Sequence, residues 1–269
     1  MAESLSFGWT PQAHHSVARC KCLGFHAVSG VEILWVVSCI AVAAFAQSLA
    51  GFGFALLSVP MMQLVLSPRD AVVISTLIAA VSTTSQAVVD RKSVDRASVK
   101  RLTIASYLGM PAGLALFVLV SDSVLRLTLG VVVILAAVVL SRGFSLRDDD
   151  FRSDWALGIL SGILATSTST NGPPLVFVLQ ARKMSPEVFR STINTIFSLA
   201  NLGALVFFFS SGKVSSHSLL GALIGLPAMF VALRIGYSLR PRVSAEFFRK
   251  LVLVTLTLSG VSLLLKVVL

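Results

Sequence analysis

The sequence predicts an all-α polytopic membrane protein, and two observations indicate this fold class. Hydrophobic residues make up 55% of the chain and charged residues only 13%, with a mean hydropathy of +0.89, which exceeds what a soluble core can use. Apolar stretches near the ~20 residues that span a bilayer as a helix recur along the chain. These stretches are residues 31–66, 71–89, 102–120, 124–140, 155–179, 193–209, 219–233 and 247–265. We therefore expect about 8 to 10 membrane helices.

Residues 1–30 are expected to form a tail that leads into the first span, because no small-residue cleavage site follows an apolar run there. Cys20 and Cys22 lie near three histidines, but their spacing fits no zinc-site template. Neither a metal nor a cofactor is therefore expected. The net charge of +10 lies in loops between apolar stretches, which the positive-inside rule explains, so no nucleic-acid partner is expected.

The first apolar stretch, residues 31–66, contains its own break. At 36 residues it is too long for one ordinary span. Gly51, Phe52 and Gly53 interrupt it, since glycine weakens a helix interior, and Pro60 ends or kinks the second part. This pattern predicts a hairpin, or a helix followed by a re-entrant half-helix. Two loosely packed helices that use glycine for close contact are the alternative.

The next three spans contain no comparable break. Ser67-Pro68 is a helix-start signal, and the helix behind it has an unusual number of polar residues, among them Thr76 and Gln86. A basic loop at residues 91–101 follows and is assigned to the cytoplasm. A charged linker at residues 142–154 follows the fourth span and separates it from the rest of the chain.

The second break, within residues 158–180, is more polar than the first. Five consecutive hydroxyl residues at 166–170 are followed by Asn-Gly-Pro-Pro at 171–174. Proline removes a backbone donor and clashes with the preceding turn, so no continuous helix can cross this segment. A break at membrane depth is tolerated only where protein or a water-filled cavity surrounds it. The segment therefore predicts a binding site.

The chain repeats its own pattern beyond the linker. Ser67-Pro68 recurs as Ser185-Pro186, and Gly109-Met110-Pro111 recurs as Gly225-Leu226-Pro227, at offsets of 118 and 116 residues. Internal duplication is common in secondary transporters, so we predict two homologous transmembrane halves. The predicted organisation is a tail at 1–30, a first repeat at 31–141, a cytoplasmic linker at 142–154 and a second repeat at 155–269.

The distribution of charge indicates whether the halves are parallel or inverted. If each broken stretch crossed the membrane once, Arg240, Arg242, Arg249 and Lys250 would lie outside, against the positive-inside rule. If each broken stretch turns back, each half has an odd number of crossings and the second half is inverted. These four residues then join the basic loop in the cytoplasm. The inverted arrangement is therefore preferred, with a broken or re-entrant helix at the start of each half.

The two broken segments also show a family resemblance. GFGFALLSVP at residues 51–60 and STSTNGPPLVFVL at residues 167–179, in a duplicated chain, resemble the TauE/SafE family of membrane permeases over nearly all of the chain after residue 30. The resemblance implies a permease that moves sulfite or organosulfonates such as sulfoacetate, usually outward across the bacterial inner membrane. The family often has glycines where this chain has Ser169, Thr170 and Asn171, which leaves the particular substrate open.

Elementary electrostatics agrees with a small anion as the substrate. The N-terminus of a half-helix exposes unpaired N–H groups and carries a partial positive charge, so two such ends near the midplane form an anion site without a cation. Hydroxyl and amide groups of the second break can donate further hydrogen bonds, and polar residues of the companion helices are expected to face the same cavity. Ser and Thr commonly bond back to their own helix, which is the alternative for each hydroxyl. The predicted substrate-binding residues are Gly51, Phe52, Gly53, Thr76, Gln86, Thr168, Ser169, Thr170, Asn171, Gly172, Pro173 and Asn194.

Other function classes are less well supported. An intramembrane enzyme would need a nucleophile beside a base, and every histidine is expected in the tail or a loop. An anion channel would share the broken-helix site and lack only alternating access, so it is the main alternative to a carrier. No Asp or Glu lies at the centre of a predicted span, which disfavours a proton relay and leaves uniport, anion exchange or a proton carried on the substrate. A homodimer is left open.

Overall fold

The structure is a computed structural model that describes residues 30–89, 91–142, 151–182 and 184–239. Within these ranges the chain is all-α, as predicted, with nine α-helices, a 3₁₀ turn at Arg91–Ser93 and no strand. The helices are α1 (Gly30–Ala50), α2 (Phe54–Met62), α3 (Pro68–Val89), α4 (Arg96–Leu119), α5 (Asp122–Arg142), α6 (Phe151–Ser167), α7 (Gly172–Ala181), α8 (Pro186–Ser210) and α9 (Ser216–Leu239). By length and composition, α1, α3, α4, α8 and α9 can each cross a membrane. The predicted tail with Cys20 and Cys22, and everything beyond residue 239, lie outside the described residues.

Both predicted breaks are present, and each separates a long helix from a short one. The first falls at Gly51–Gly53, where Gly51 has φ +82° and Gly53 has φ +97°, a left-handed conformation that glycine adopts without steric cost. The second lies at residues 168–171, between α6 and α7, and includes Ser169 at φ +61°. Gly172 begins α7, so the two prolines start the second helix, where their missing N–H groups are not needed.

Each broken segment turns back toward the end at which it begins. In the first, the indole Nε1 of Trp35 near the start of α1 donates a hydrogen bond of 3.0 Å to the carbonyl of Met61 at the end of α2. In the second, Asp154 in the first turn of α6 forms an ion pair with Arg182, which follows α7. Helix α6 begins at Phe151, within the predicted linker at residues 142–154, most of which lies outside the described residues.

Glycines allow α4 and α6 to pack backbone against backbone. A Cβ added to Gly109 would lie 2.0 Å from the carbonyl oxygen of Ile159, and one added to Gly162 would lie 1.8 Å from that of Ser106. Close approach through small residues is how membrane helices gain van der Waals contact. Residue numbers rise together in these contacts, so the two helices run parallel. The pair α1 and α9 is also parallel, with Gly236 against Ser48.

The central helices α3 and α8 run antiparallel and meet through polar side chains. The hydroxyls of Thr84 and Ser198 lie 2.7 Å apart, and the side-chain amide of Asn201 donates to Thr83 at 3.4 Å. Helix α3 also contacts α2 and α9, and α8 also contacts α7 and α4, so this pair connects these two groups of helices.

Charged residues gather at the two ends of the helices. At one end, here called the Asp154 end, Asp154 is 4% exposed and pairs with Arg182 and with Arg101, whose Nε is 3.1 Å away. Asp95 caps α4 there; burial raises the pKa of its carboxyl, but hydrogen bonds from Ser98 and Ala97 and the charge of Arg182 outweigh burial and leave that pKa below its usual value.

At the other end, here called the His217 end, Glu32, Asp70 and His217 lie in the first turns of α1, α3 and α9. Helix α3 has 22 residues, so its two ends lie about 33 Å apart. The two charged clusters therefore lie on opposite sides of the helical bundle.

Candidate functional site

A small, partly open cavity lies between the two breaks. Its polar lining comes from α1, α3, α8 and the second break, and its apolar lining from α2, α3 and α8. The lining residues are Gln47, Gly53, Phe54, Ala55, Leu56, Ala79, Thr83, Ser169, Thr170, Asn171, Gly172, Phe197 and Asn201. The start of α2 and the start of α7 therefore face the same cavity.

The first N-terminus at the cavity belongs to α2. Gly53 occupies its N-cap position in a left-handed conformation and supplies no side-chain cap. Phe54 and Ala55, the first two residues of α2, line the cavity. The first N–H groups of a helix have no intrahelical acceptor. Because nothing from residue 53 can cap them, these donors are available to a ligand.

The second N-terminus belongs to α7. Asn171 precedes this helix, and its side chain does not cap it. The carbonyl of Asn171 is held by a 3.0 Å hydrogen bond from the hydroxyl of Ser161, so the residue is fixed in place. Its side chain is only 6% exposed, and its Nδ2 is buried without a hydrogen-bond partner. A buried donor without a partner is costly, and this one lines the cavity.

Behind the second break, hydroxyl groups fix the conformation of the loop. The Oγ1 of Thr76 donates to the Oγ of Ser169 at 2.9 Å, and the hydroxyls of Thr168 and Thr170 lie 2.7 Å apart. Ser167 and Thr168 also donate to carbonyls one turn earlier in α6, whereas Thr166 donates at 2.8 Å to the carbonyl of Met110 in α4. The alternative of bonding back to the helix therefore holds for Ser167 and Thr168, and not for Ser169, whose hydroxyl accepts from α3.

The structure brings together about half of the predicted binding residues. Gly53, Ser169, Thr170, Asn171 and Gly172 line the cavity. Gly51, Phe52, Thr168 and Pro173 belong to the breaks or their edges but are not among the described residues that form its wall.

The three residues predicted on the companion helices lie near the cavity but not on its wall. Thr76 lies behind Ser169. Gln86 and Asn194 pair with each other, with 3.4 Å between Nδ2 of Asn194 and Oε1 of Gln86, elsewhere on the seam between α3 and α8. The Oδ1 of Asn194 is buried and has no hydrogen-bond partner. Their part in binding stays a prediction.

Three polar cavity residues were not among the predicted set. Gln47 lies in the last turn of α1 and accepts a 2.8 Å hydrogen bond from Ser82, while Thr83 and Asn201 bond to each other across the central helices. A sequence signal for the last two exists, because Thr83 follows Thr76 by seven residues and Asn201 follows Asn194 by seven. Two helical turns place such residues on one face.

The first break has a close neighbour on α8. A Cβ added to Gly51 would lie 3.1 Å from the Cγ of Arg190. The apolar stem of this arginine therefore covers the bend, and the positive φ of Gly51 already disfavours any larger residue.

Comparison with protein families matches residues 36–263 to the family model described as sulfite exporter TauE/SafE. The matched range includes both breaks, the cavity and every described helix from α2 to α9. Comparisons with curated proteins and with solved structures found no match.

Proposed function

The chain belongs to the TauE/SafE sulfite exporter family, and from this premise we propose that it is a secondary transporter that binds its anion in the cavity between the two breaks. Membership makes the chain a multi-pass integral membrane protein and a transporter of sulfite-exporter type, in agreement with the predicted class and with the prediction that it is not an enzyme. The proposed substrate is sulfite or a small organosulfonate, moved outward across the bacterial inner membrane.

The observation that supports this site most strongly is the meeting of two uncapped helix N-termini with a buried, unpaired amide donor. Each helix N-terminus acts as roughly half a positive charge, so the two together offset about one negative charge. The N–H groups at the start of α2, the N–H of Gly172 at the start of α7 and the Nδ2 of Asn171 can each donate to an anion's oxygens.

The other predicted residues have supporting roles in this proposal. Thr76 holds Ser169 in its left-handed conformation, and Gln86 with Asn194 fixes the register of α3 against α8. Gly51 and Phe52 shape the first bend, and Pro173 starts α7 without needing an acceptor for its missing N–H.

We also propose that the chain consists of two inverted halves. The offset of 118 residues relates Gly51 to Ser169, both with positive φ, and Gly53 to Asn171, both at the start of a short helix. The first broken segment returns to the His217 end of the bundle, and the second returns to the Asp154 end. This supports a transport cycle in which one half moves relative to the other around the cavity. The positive-inside rule then places the Asp154 end in the cytoplasm.

The test is ligand-dependent thermal stability of the purified protein in a panel of sulfite, sulfoacetate, taurine, thiosulfate, sulfate and chloride at matched ionic strength. A ligand present at about 100 times its Kd stabilises the folded state by about 2.7 kcal/mol. We expect a selective shift with one sulfur anion in the wild type and none in Asn171→Asp, which keeps the volume and replaces the donor with a negative charge.

Gln180→Ala is the matched control, since Gln180 is an exposed polar residue near the other end of α7. Its ligand-dependent shift should equal that of the wild type. If Asn171→Asp shows the same ligand-dependent shift as the wild type, the anion does not bind in this cavity. Counterflow of the stabilising anion in proteoliposomes then separates a carrier, which shows it, from a channel, which does not.

A further inference from the structure

A cluster of titratable side chains at the His217 end has no part in the cavity. The Nε2 of His217 lies 3.3 Å from Oε1 of Glu32, and its Nδ1 lies 3.8 Å from Oδ2 of Asp70. Asp70 also accepts hydrogen bonds from Ser215 at 3.1 Å and Ser218 at 2.6 Å. The cluster therefore joins the N-terminal turns of α1, α3 and α9.

This geometry suits the charged form of the imidazole. A neutral histidine has one N–H donor, whereas the protonated ring has two, one on each nitrogen. Here each ring nitrogen faces a carboxylate on a different helix. Only the protonated ring can attract both carboxylates at once, and a neutral ring would leave two negative groups facing one donor.

The other end of the bundle contains no such switch among the described residues. Its contacts join Asp154 to Arg101 and Arg182, and a guanidinium stays protonated at any ordinary pH. An imidazole, by contrast, is the side chain whose charge changes between about pH 5 and pH 8. The two ends of the bundle therefore differ in their response to protons.

The contacts of the three helices connect this cluster to the cavity. Helix α1 runs from Glu32 to Gln47, which lines the cavity, and on to the first break. Helix α9 packs along the length of α1, with Gly236 against Ser48 near the far end. A change in the packing of α1 and α9 against α3 at the His217 end would therefore displace the part of the cavity wall that contains the first break.

We propose that Glu32, Asp70 and His217 form a proton-binding latch: a proton on His217 holds α1, α3 and α9 together at this end, and its loss lets this end open. In the proposed topology this end faces outward, so external acid would slow release of the anion. That consequence rests on the function proposed above, whereas the latch itself does not.

Among the residues that the structure describes, two other charged side chains at this end need to be considered. On α3, Arg69 is adjacent to Asp70 but pairs with Asp122 of α5. Lys213 lies in the loop before α9 and is exposed. Neither lysine nor arginine changes charge over the pH range in question. At this end of the bundle, the pair of Arg69 and Asp122 is a contact that contains no imidazole.

The experiment measures distances between spin labels in the full chain, with Cys20, Cys22 and Cys39 replaced by alanine. One label pair, at Val31 and Leu119, reports on the His217 end, and a second, at Val89 and Ile235, reports on the Asp154 end; all four side chains are exposed. We expect the first distance to lengthen by about 2 Å or more, the scale of helix shifts at packed interfaces, between about pH 5.5 and about pH 8. The second distance should not lengthen.

Two variants test the role of the proton without any transported anion. His217→Gln removes the titration and should give one distance distribution at both pH values. His217→Lys keeps a positive charge and should give the short distance at both. A pH response that persists in either variant, or the lack of one in the wild type, overturns the latch. Failure of the sulfur-anion panel would not affect this result.

Discussion

Among the described glycines, Gly162 makes the tightest approach to the backbone of a neighbouring helix, which gives a quantitative prediction for Gly162→Ala. A Cβ at this position would lie 1.8 Å from the carbonyl oxygen of Ser106 and 2.6 Å from its carbonyl carbon. Real Cβ atoms keep at least 3.0 Å from such atoms, so α4 and α6 must separate locally by about 1.2 Å. The obstacle is backbone in a long helix, which cannot rotate away as a flexible side chain can.

This separation has two costs. Overpacking a tightly packed contact typically costs about 1–3 kcal/mol, occasionally more, and we expect about 3 kcal/mol here because the neighbouring glycines pack equally closely. Helix α6 also positions the second break, since Ser161 holds the carbonyl of Asn171 at 3.0 Å. Displacement of α6 should therefore weaken anion binding as well as stability.

The assay is thermal unfolding of the purified variant in detergent, with and without the stabilising anion. A loss of about 3 kcal/mol corresponds to a fall in Tm of about 6–12 °C for a chain of this size. Gly30→Ala is the control, because a Cβ there would meet nothing within 4 Å, and its Tm should match that of the wild type. A Tm for Gly162→Ala within experimental error of the wild-type value would refute backbone-to-backbone packing of α4 and α6.

Two further pairs of substitutions test the second break and the Asp154 end. Ser169→Gly and Ser169→Ala both remove the hydroxyl that accepts from Thr76, but only glycine tolerates φ +61°. In thermal unfolding the glycine variant should therefore be more stable than the alanine variant by about 1–2 kcal/mol. Equal stability of the two variants would contradict a left-handed conformation at residue 169. Asp154→Asn removes the carboxylate that Arg101 and Arg182 share, although Arg182 keeps Asp95 at 3.6 Å. Its cost in unfolding free energy should therefore be at the lower end of the range for breaking a buried pair, about 3 kcal/mol. Asp122→Asn, at an exposed pair with Arg69, should cost about 1 kcal/mol or less.

The breaks were predictable from the sequence because their causes are local. Glycine at 51 and 53 allows positive φ wherever the chain needs it, and proline at 173 must begin a helix or end one. The boundaries at Pro68 and Pro186 were predictable for the same reason, since a Ser-Pro pair both caps and starts a helix.

The walls of the cavity were harder to predict because they depend on which helix faces meet. Thr83 and Asn201 are neighbours only because α3 and α8 cross antiparallel at those positions, and no local rule specifies that crossing. The same holds for Asp154, which was expected in a linker but is buried against an arginine that lies 28 residues further along the chain. Side-chain partners this distant follow from tertiary packing alone.

The two halves contribute unequally to the proposed site. At equivalent positions the first half presents Gly51 and Gly53, which offer only backbone groups, while the second presents Ser169 and Asn171, which add a hydroxyl and an amide. Backbone N–H groups attract any small anion of suitable size, whereas a fixed side-chain donor distinguishes anions by where their oxygens lie. In the proposed site, general attraction for anions therefore comes from both halves, and discrimination among sulfur anions comes from the second.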